Sequence, residues 1–494
     1  MKHRLFAAAA ALIIAPPLAA APALAPPPPH FGPGVQPFVS VAPGQIALTH
    51  VRVIDGTGAP PVENATILID GAKIAAVQPA AAAIAPGYRV IDGSGETVLP
   101  GIVGMHNHMF YMALPNTSPA GHGEGPLLVP QMTFSAPRLY LANGVTMMRT
   151  TGSVEPYADL NVRREIDLGH LVGPHMDVTA PYLEGVNSPF IQMHQLRDAA
   201  DARQTVAFWA DQGATSFKAY MNITRAELKA AIDEAHRRHL KITGHLCSVT
   251  YPEAIALGID DLEHGFFVNT QLDPGKTPDV CPASGGNPTL AAMKPGSPEA
   301  AALIKLLVDH HVAVTSTLPV FEQDFPGRSP LNPKAMAVLS PQAREAYLYL
   351  RNRFASQADT PRAADALQQY KNDMGLERQF VAAGGLLLAG PDPTGDGGVI
   401  PGFGDQREIE LLVEAGFTPV EAIRIATLNG ATYLGLQDRI GSIAPGKDAD
   451  LMVVKGNPAE KIADIENVVT VFKDGTGFDS AKLLDSVQGR YGEY

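Results

Sequence analysis

Residues 100–108 read PGIVGMHNH, and the two histidines that close this stretch, His106 and His108, end an apolar run carried by Leu99, Ile102 and Val103. A short apolar run between proline and glycine predicts a buried strand. Residues two apart on a strand face the same way, so both imidazoles point into whatever that strand lines. The spacing suits two ligands on one metal ion, since neutral imidazole binds zinc at roughly 2.0–2.1 Å. An isolated pair of this kind is more often two hydrogen-bonded histidines, so the rest of the chain has to decide.

The surrounding sequence divides into two styles. From Gln45 to Leu99 it consists of short β-rich runs with glycine turns, and the Asp-Gly of ILIDGAKIAAV is a hairpin signal. IGSIAPGKDADLMVVKGNP and ENVVTVFKDG return to that style near the C-terminus. Between them, apolar strands (ATSFKAY, KITGHL, GIDDLEH, VAVTSTL, GLLLAG) alternate with amphipathic helices, the pattern of a parallel α/β fold. Helix starts are marked by capping boxes at Thr224 with Glu227 and at Thr418 with Glu421.

The predicted architecture is a (β/α)8 TIM-like barrel with a small β-sandwich domain built from both chain ends. Its divisions are 1–25 signal peptide, 26–44 Pro-rich linker, 45–100 first part of the β domain, 101–435 barrel, 436–478 second part of the β domain, and 479–494 C-terminal tail. A helical insertion at about 320–379 is too long for a plain connection and is expected to cover one barrel end.

Four more predicted strands end in metal-ligand residue types: Lys218 in ATSFKAY, His245 in KITGHL, His264 in DDLEHG and Asp392 in LLLAGPDP. The C-terminal strand ends of an α/β barrel converge on one site, so five strands would deliver six ligands. A lysine ammonium would be repelled by a dication. Carbamylation of Lys218 by carbon dioxide would turn it into a bridging anion with two oxygens.

VIDGTG with ILIDGAKIAAV, VLPGIVGMHNH, GATSFKAY, KITGHLCS, GIDDLEHG, AGPDP and EAIRIATLNGATYLGLQDRIGSIAPGKDADLMVV together resemble the amidohydrolase superfamily. The nearest likeness is to its binuclear, prolidase-like and imidazolonepropionase-related group. The resemblance implies that His106, His108 and Asp392 hold one divalent metal, that His245 and His264 hold the other, and that carbamylated Lys218 and a hydroxide bridge them. Zinc is the first candidate, with manganese, cobalt and iron also compatible with such ligands. Two departures concern Gly104, where the family usually has an acidic residue, and Pro391, where it often has threonine; neither is a metal ligand.

Two dications would ionise the bridging water at neutral pH, and Asp392 would take its proton and pass it to a leaving amine. The expected activity is hydrolysis of amide bonds in dipeptides or N-acyl amino acids. Tyr220, two residues beyond Lys218, is a candidate donor to the oxyanion or to a substrate carboxylate. Tyr111, Arg149, His194 and Arg407 are further candidates for substrate contacts, the arginines through bidentate grip on a carboxylate. Competing readings are a mononuclear deaminase, a cyclic amidase or lactonase of the same superfamily, and a non-catalytic periplasmic binding protein.

Acidic residues outnumber basic ones by 50 to 37, and no basic cluster suggests nucleic acid, so a small-molecule substrate is expected. Lys2 and Arg4 precede an apolar stretch from Leu5 to Ala15, the layout of a secretory signal and too short to span a bilayer. A periplasmic or secreted protein with no integral span after signal removal is expected, with homo-oligomerisation open. Cys247 and Cys281 are read as free or singly bridged.

Overall fold

A computed structural model of the chain describes residues 24, 26–27, 30–111, 128–188, 190–322, 325, 328, 331–394 and 398–492. The expected signal peptide, apart from Leu24, lies outside them.

Eight parallel strands form the larger unit: β1 (Ile102–Asn107), β2 (Val145–Thr150), β3 (His175–Val178), β4 (Ser216–Ala219), β5 (Lys241–Gly244), β6 (Asp261–Glu263), β7 (Ala313–Ser316) and β8 (Leu387–Ala389). Each pairs with the next, β3 reaching β4 through a Thr179–Ser216 bridge. The ring closes where the Asp392 N–H donates to the His106 carbonyl at 3.0 Å. Gly390 makes this approach possible, because a Cβ there would stand 2.1 Å from the His106 nitrogen. Every residue of β1 and β2 is buried, as expected for parallel strands covered on both faces.

The helices begin where their caps direct. Thr224 and Glu227 close a reciprocal capping box ahead of Arg225–Arg237, as do Thr418 and Glu421 ahead of Pro419–Arg424. Thr250 and Glu253 form a third before Tyr251–Leu257. Each such cap satisfies N–H groups that the helix cannot, for about 1 kcal/mol.

The β-rich domain is one nine-stranded mixed sheet. Leu451–Lys455 lies antiparallel against Glu96–Pro100, joining the two ends of the chain. Alternating residues of these and neighbouring strands, among them Ile46, Leu48, Ile67, Val98, Leu451 and Phe472, enclose one apolar core. Asp70 and Lys73 face each other across the hairpin turn, with Gly71 at φ 58°.

Two stretches expected to lie outside the folded domains are built into them. Within the Pro-rich linker, Val39–Val41 pairs antiparallel with Thr476–Asp479, because Val35 and Val41 have apolar sites to fill. The C-terminal tail forms the helix Ser480–Asp485 and continues inward. Leu483, Val487 and Tyr491, four apart, are all buried, and the Tyr491 ring packs 4.6 Å from that of Tyr111. Cys247 and Cys281 form a disulfide, settling the choice left open by the sequence.

Between β7 and β8 run the helices Leu318–Glu322, Pro333–Val338, Pro341–Ala355 and Pro361–Ala382. Buried carboxyls hold them to the barrel. Asp373 accepts from the Phe266 N–H at 2.7 Å, and Glu408, on Phe403–Glu414, accepts from the Leu318 N–H at 2.9 Å. Burial pushes Glu408 up to about 8 from a reference of 4.5.

Glu408 therefore keeps its proton in the fold through neutral pH but loses it in the unfolded chain above about 4.5. Stability falls as pH rises across that window and levels off above about 8, by about 1 kcal/mol per pH unit at the steepest. Glu408→Gln should flatten this dependence, read as a smaller loss of Tm than the parent shows between pH 5 and 8; equal losses would assign the effect elsewhere. Opening the 34-residue separation closed by the disulfide through Cys281→Ser should lower stability by about 2–4 kcal/mol in denaturant titration.

Candidate active site

The C-terminal ends of the barrel strands bring six side chains to one mouth. His106 sits within β1 and His108 one residue beyond it; Lys218 lies within β4; His245 and His264 directly follow β5 and β6; Asp392 follows β8. One carboxylate oxygen of Asp392, Oδ1, stands 3.1 Å from His108 Nε2 and 3.6 Å from His106 Nε2. Its Oδ2 lies 3.8 Å from His264 Nδ1. Lys218 Nζ donates to His106 Nε2 at 3.1 Å. The His264 ring lies 4.6 Å from that of His106 and 4.4 Å from that of His245.

The backbone is forced into place at two of these positions. His264 and Asp392 adopt φ values of 68° and 51°, the left-handed region that costs a branched or bulky side chain. Strain of this kind, about 1–3 kcal/mol per residue, persists only where the surrounding contacts impose it. Here it turns both side chains into the mouth.

A second set of groups orients the first. His106 Nδ1 is 2.7 Å from Glu263 Oε2, His108 Nδ1 is 3.3 Å from the Gly152 carbonyl, and His264 Nδ1 is 2.9 Å from Thr317 Oγ1. For His106 and His108 the contact occupies Nδ1 and leaves Nε2 facing Asp392. His264 Nε2 is buried with no hydrogen-bond partner among the described residues.

Burial sets the charge states. It pushes the imidazoles of His106, His108 and His264 down, and that of His245 to about 3, with Lys218 adding to the effect. Burial alone would raise Asp392, but His106, His108 and Lys218 hold its carboxyl well below the usual carboxylate range. Lys218 is itself lowered to about 8 by burial, which makes its free amine more accessible near neutral pH than that of an ordinary lysine. Neutral imidazoles, an ionised carboxylate and an unpartnered buried ring nitrogen are the donor set a divalent cation needs. Ligand atoms of His106, His108 and Asp392 lie within 4.8 Å of one another. These residues fit a metal centre.

Aromatic side chains wall the mouth. Phe110 stacks on His108 with ring centroids 4.4 Å apart, and the Tyr220 ring lies 4.9 Å from both Tyr182 and His245. Phe321, from the helix after β7, meets His264 edge-on at 5.9 Å. Lys218 Nζ is 5.3 Å from the Tyr182 ring centre and 5.9 Å from that of Tyr220.

Four candidates for substrate contact lie elsewhere. Arg149 is fully buried inside the barrel, where its guanidinium donates to Asp261 at 2.8 Å, to Glu263 at 2.9 Å and to the Met105 carbonyl at 2.8 Å. It is a core cation, committed to two carboxylates. Tyr111 is buried against Tyr491. His194 is exposed on an edge strand, 3.4 Å from Asp201, in a cleft shared with Tyr157, Phe208 and Trp209. Arg407 is held bidentately by Glu322 at 2.7 and 2.9 Å and by Glu410 at 2.6 Å, so its charge is committed to two carboxylates.

Three site residues escaped the sequence reading: Glu263, Tyr182 and Asp405. The first had a usable signal, because Asp261 and Glu263 alternate on a strand and must share a face. Beside Gly104, where a Cβ would collide with Asn107 and Asp405, Asn107 Nδ2 donates to Asp405 Oδ1 at 2.9 Å. That carboxyl lies on the side of β1 where the family usually supplies an acid two residues before His106.

An eight-stranded parallel barrel presents imidazoles, a lysine and a carboxylate at its C-terminal mouth, the face on which barrels of this class carry their active sites. The amidohydrolase family matches residues 97–477, and the chain belongs to that family. Its fold is similar to that of a Xaa-Pro dipeptidase with bound methionine, at 20% identity and TM-score 0.64 over 88% of this chain and 100% of the other. It is also similar to the bottromycin amidohydrolase, at 19% identity and TM-score 0.65 over 93% and 94% of the two chains. An adenine deaminase of Ligilactobacillus salivarius (strain UCC118) is 43% identical over 67 residues, 14% of this chain and 11% of the relative. The chain thus matches only about a tenth of the length of that curated relative.

Glu263 links Arg149 to His106, so Glu263→Gln should weaken metal retention about 10–100-fold while the protein stays folded. Metal content after dialysis against a graded chelator, with circular dichroism alongside, checks this; unchanged retention would remove Glu263 from the support of His106.

Proposed function

We propose that this protein is a metal-dependent hydrolase of amide bonds in dipeptides or N-acyl amino acids. The observation that carries the reading is the meeting of His106, His108, Lys218, His245, His264 and Asp392, spread over almost three hundred residues, at one barrel mouth. His106, His108 and Asp392 would hold one ion, His245 and His264 the other, with Lys218 between them as the carbamate. Divalent ions, zinc first among them, would supply Lewis acidity and a water ionised at neutral pH.

The chain's own groups do the rest. Asp392, ionised and flanked by imidazoles, accepts the proton of the attacking water and delivers it to the departing amine nitrogen. Tyr220 stands beside His245, and burial raises its hydroxyl well above the ordinary value, so it remains a donor across the working pH range. It can therefore donate to the oxygen on which charge develops. Phe110, Tyr182 and Phe321 exclude water and favour an apolar acyl group or side chain. The low Lys218 value supports carbamylation, which requires the free amine.

The Cys247–Cys281 disulfide supports the periplasmic or secreted location proposed from the sequence, since such bonds persist in oxidising compartments. The partial match to adenine deaminases favours one alternative, a mononuclear deaminase in which Lys218 stays unmodified.

The test is a panel of dipeptides and N-acyl amino acids against zinc-loaded protein, with Asp392→Asn as the blank. Turnover should fall at least about 1,000-fold in the variant, in the range typical for loss of an acid–base group together with a ligand. Equal turnover in both proteins would remove Asp392 from the mechanism. Counted at the barrel mouth alone, Lys218→Ala should drop bound metal from two equivalents towards one and abolish activity; one mouth equivalent in the parent, with activity intact in the variant, would establish the mononuclear alternative.

A further inference from the structure

A second cluster of ligand-type side chains lies at the opposite end of the barrel. His175 opens β3 at its N-terminal end, where the barrel rests on the β-rich domain. Asp450 immediately precedes the strand Leu451–Lys455, and Asp474 occupies the turn between Val468–Lys473 and Thr476–Asp479, with φ 50°. These three residues are 3%, 4% and 6% exposed, and their ligand atoms lie within 4.8 Å of one another.

Their hydrogen bonding is incomplete. The Asp474 N–H donates to Asp450 Oδ1 at 2.8 Å, but Asp450 Oδ2 is buried with no partner among the described residues. His175 Nε2 stands 3.2 Å from Asp474 Oδ2, yet it too has no aligned hydrogen bond. Buried polar atoms are rarely left unmatched, because each costs about 1–3 kcal/mol. A separation of 3.2 Å is close to the ligand–ligand edge of a tetrahedral zinc site, about 3.3 Å for bonds of 2.0–2.1 Å.

Charge points the same way. Arg439 is taken up by Asp448 at 2.7 Å, and Lys73 pairs with the same carboxylate. Lys473 Nζ lies 3.7 Å from Asp474 Oδ2, the carboxylate that its charge and that of Arg439 both hold down. Burying two carboxylates in a dry junction is costly, and a further cation held between them would offset that cost.

We propose that His175, Asp450 and Asp474 form a structural site for a divalent transition-metal ion that fastens the barrel floor to the β-rich domain. The site is separate from the barrel mouth: its three ligands come from the N-terminal end of a strand and from the sheet beneath, where a TIM-like barrel carries stability rather than catalysis. One imidazole and two carboxylates suit zinc or manganese over calcium, which prefers an all-oxygen shell.

The experiment uses the full chain and does not depend on catalysis. A variant with His106, His108 and His264 all changed to Ala, stripped with chelator and dialysed against zinc, should retain about one equivalent. Adding His175→Gln should remove it, and adding Lys473→Met instead should tighten zinc binding about tenfold or more. In the otherwise native chain, Asp450→Asn should lose one equivalent and make Tm insensitive to that fraction of chelatable metal, with kcat unchanged. Zinc-edge anomalous scattering should place an ion among the three side chains. Zinc retention indifferent to His175→Gln, or no anomalous peak at this junction in zinc-loaded crystals, would overturn the proposal.

Discussion

A single buried cation organises the interior of this barrel. The Arg149 guanidinium reaches from β2 to Asp261 and Glu263 on β6, crossing the space that apolar side chains fill in most barrels of this shape. Taking such a group out of water is expensive, and the cost is offset only because two carboxylates and a carbonyl meet its donors. The arrangement has an outward effect as well. Glu263 uses one oxygen on Arg149 and the other on His106, so the polar core and the mouth share a residue. The ring orientation of His106 is thereby tied to the packing of strands on the far side of the barrel.

The larger outline was legible because its signals are local and repeated. The strands in KITGHL and DDLEH end where a histidine interrupts the run, that in LLLAG ends at Gly390, and the capping boxes at Thr224 and Thr418 stand where the hydroxyl–carboxylate spacing puts them. The ligand-type residues were visible for the same reason, since parallel strands deliver their last side chains to one place. The exact shape of the backbone around them was not visible. Nothing in the sequence distinguishes the left-handed conformations of His264 and Asp392 from ordinary loop geometry.

The arginines show where such reasoning stops. Arg149 ends a strand and Arg407 follows a ligand loop, so both have the sequence context of a substrate clamp. Asp261 and Glu263 for Arg149, and Glu322 for Arg407, come from distant segments that only the folded chain brings near, whereas Glu410 lies one helical turn beyond Arg407, a pairing the sequence already offered. The C-terminal residues were missed for a different reason: a stripe of Leu483, Val487 and Tyr491 is too short to stand out from a solvated tail, although every member is buried.

The pairing of Glu96–Pro100 with Leu451–Lys455 also bears on how the chain reaches its native state. During synthesis the early strand emerges more than three hundred residues before its neighbour, and the barrel cannot close until the loop after Ala389 has been made. Such remote partners make collapse slow and leave sheet edges open in the interval. A chain cut short ahead of Leu451 would therefore leave Glu96–Pro100 without this neighbour and the sheet divided.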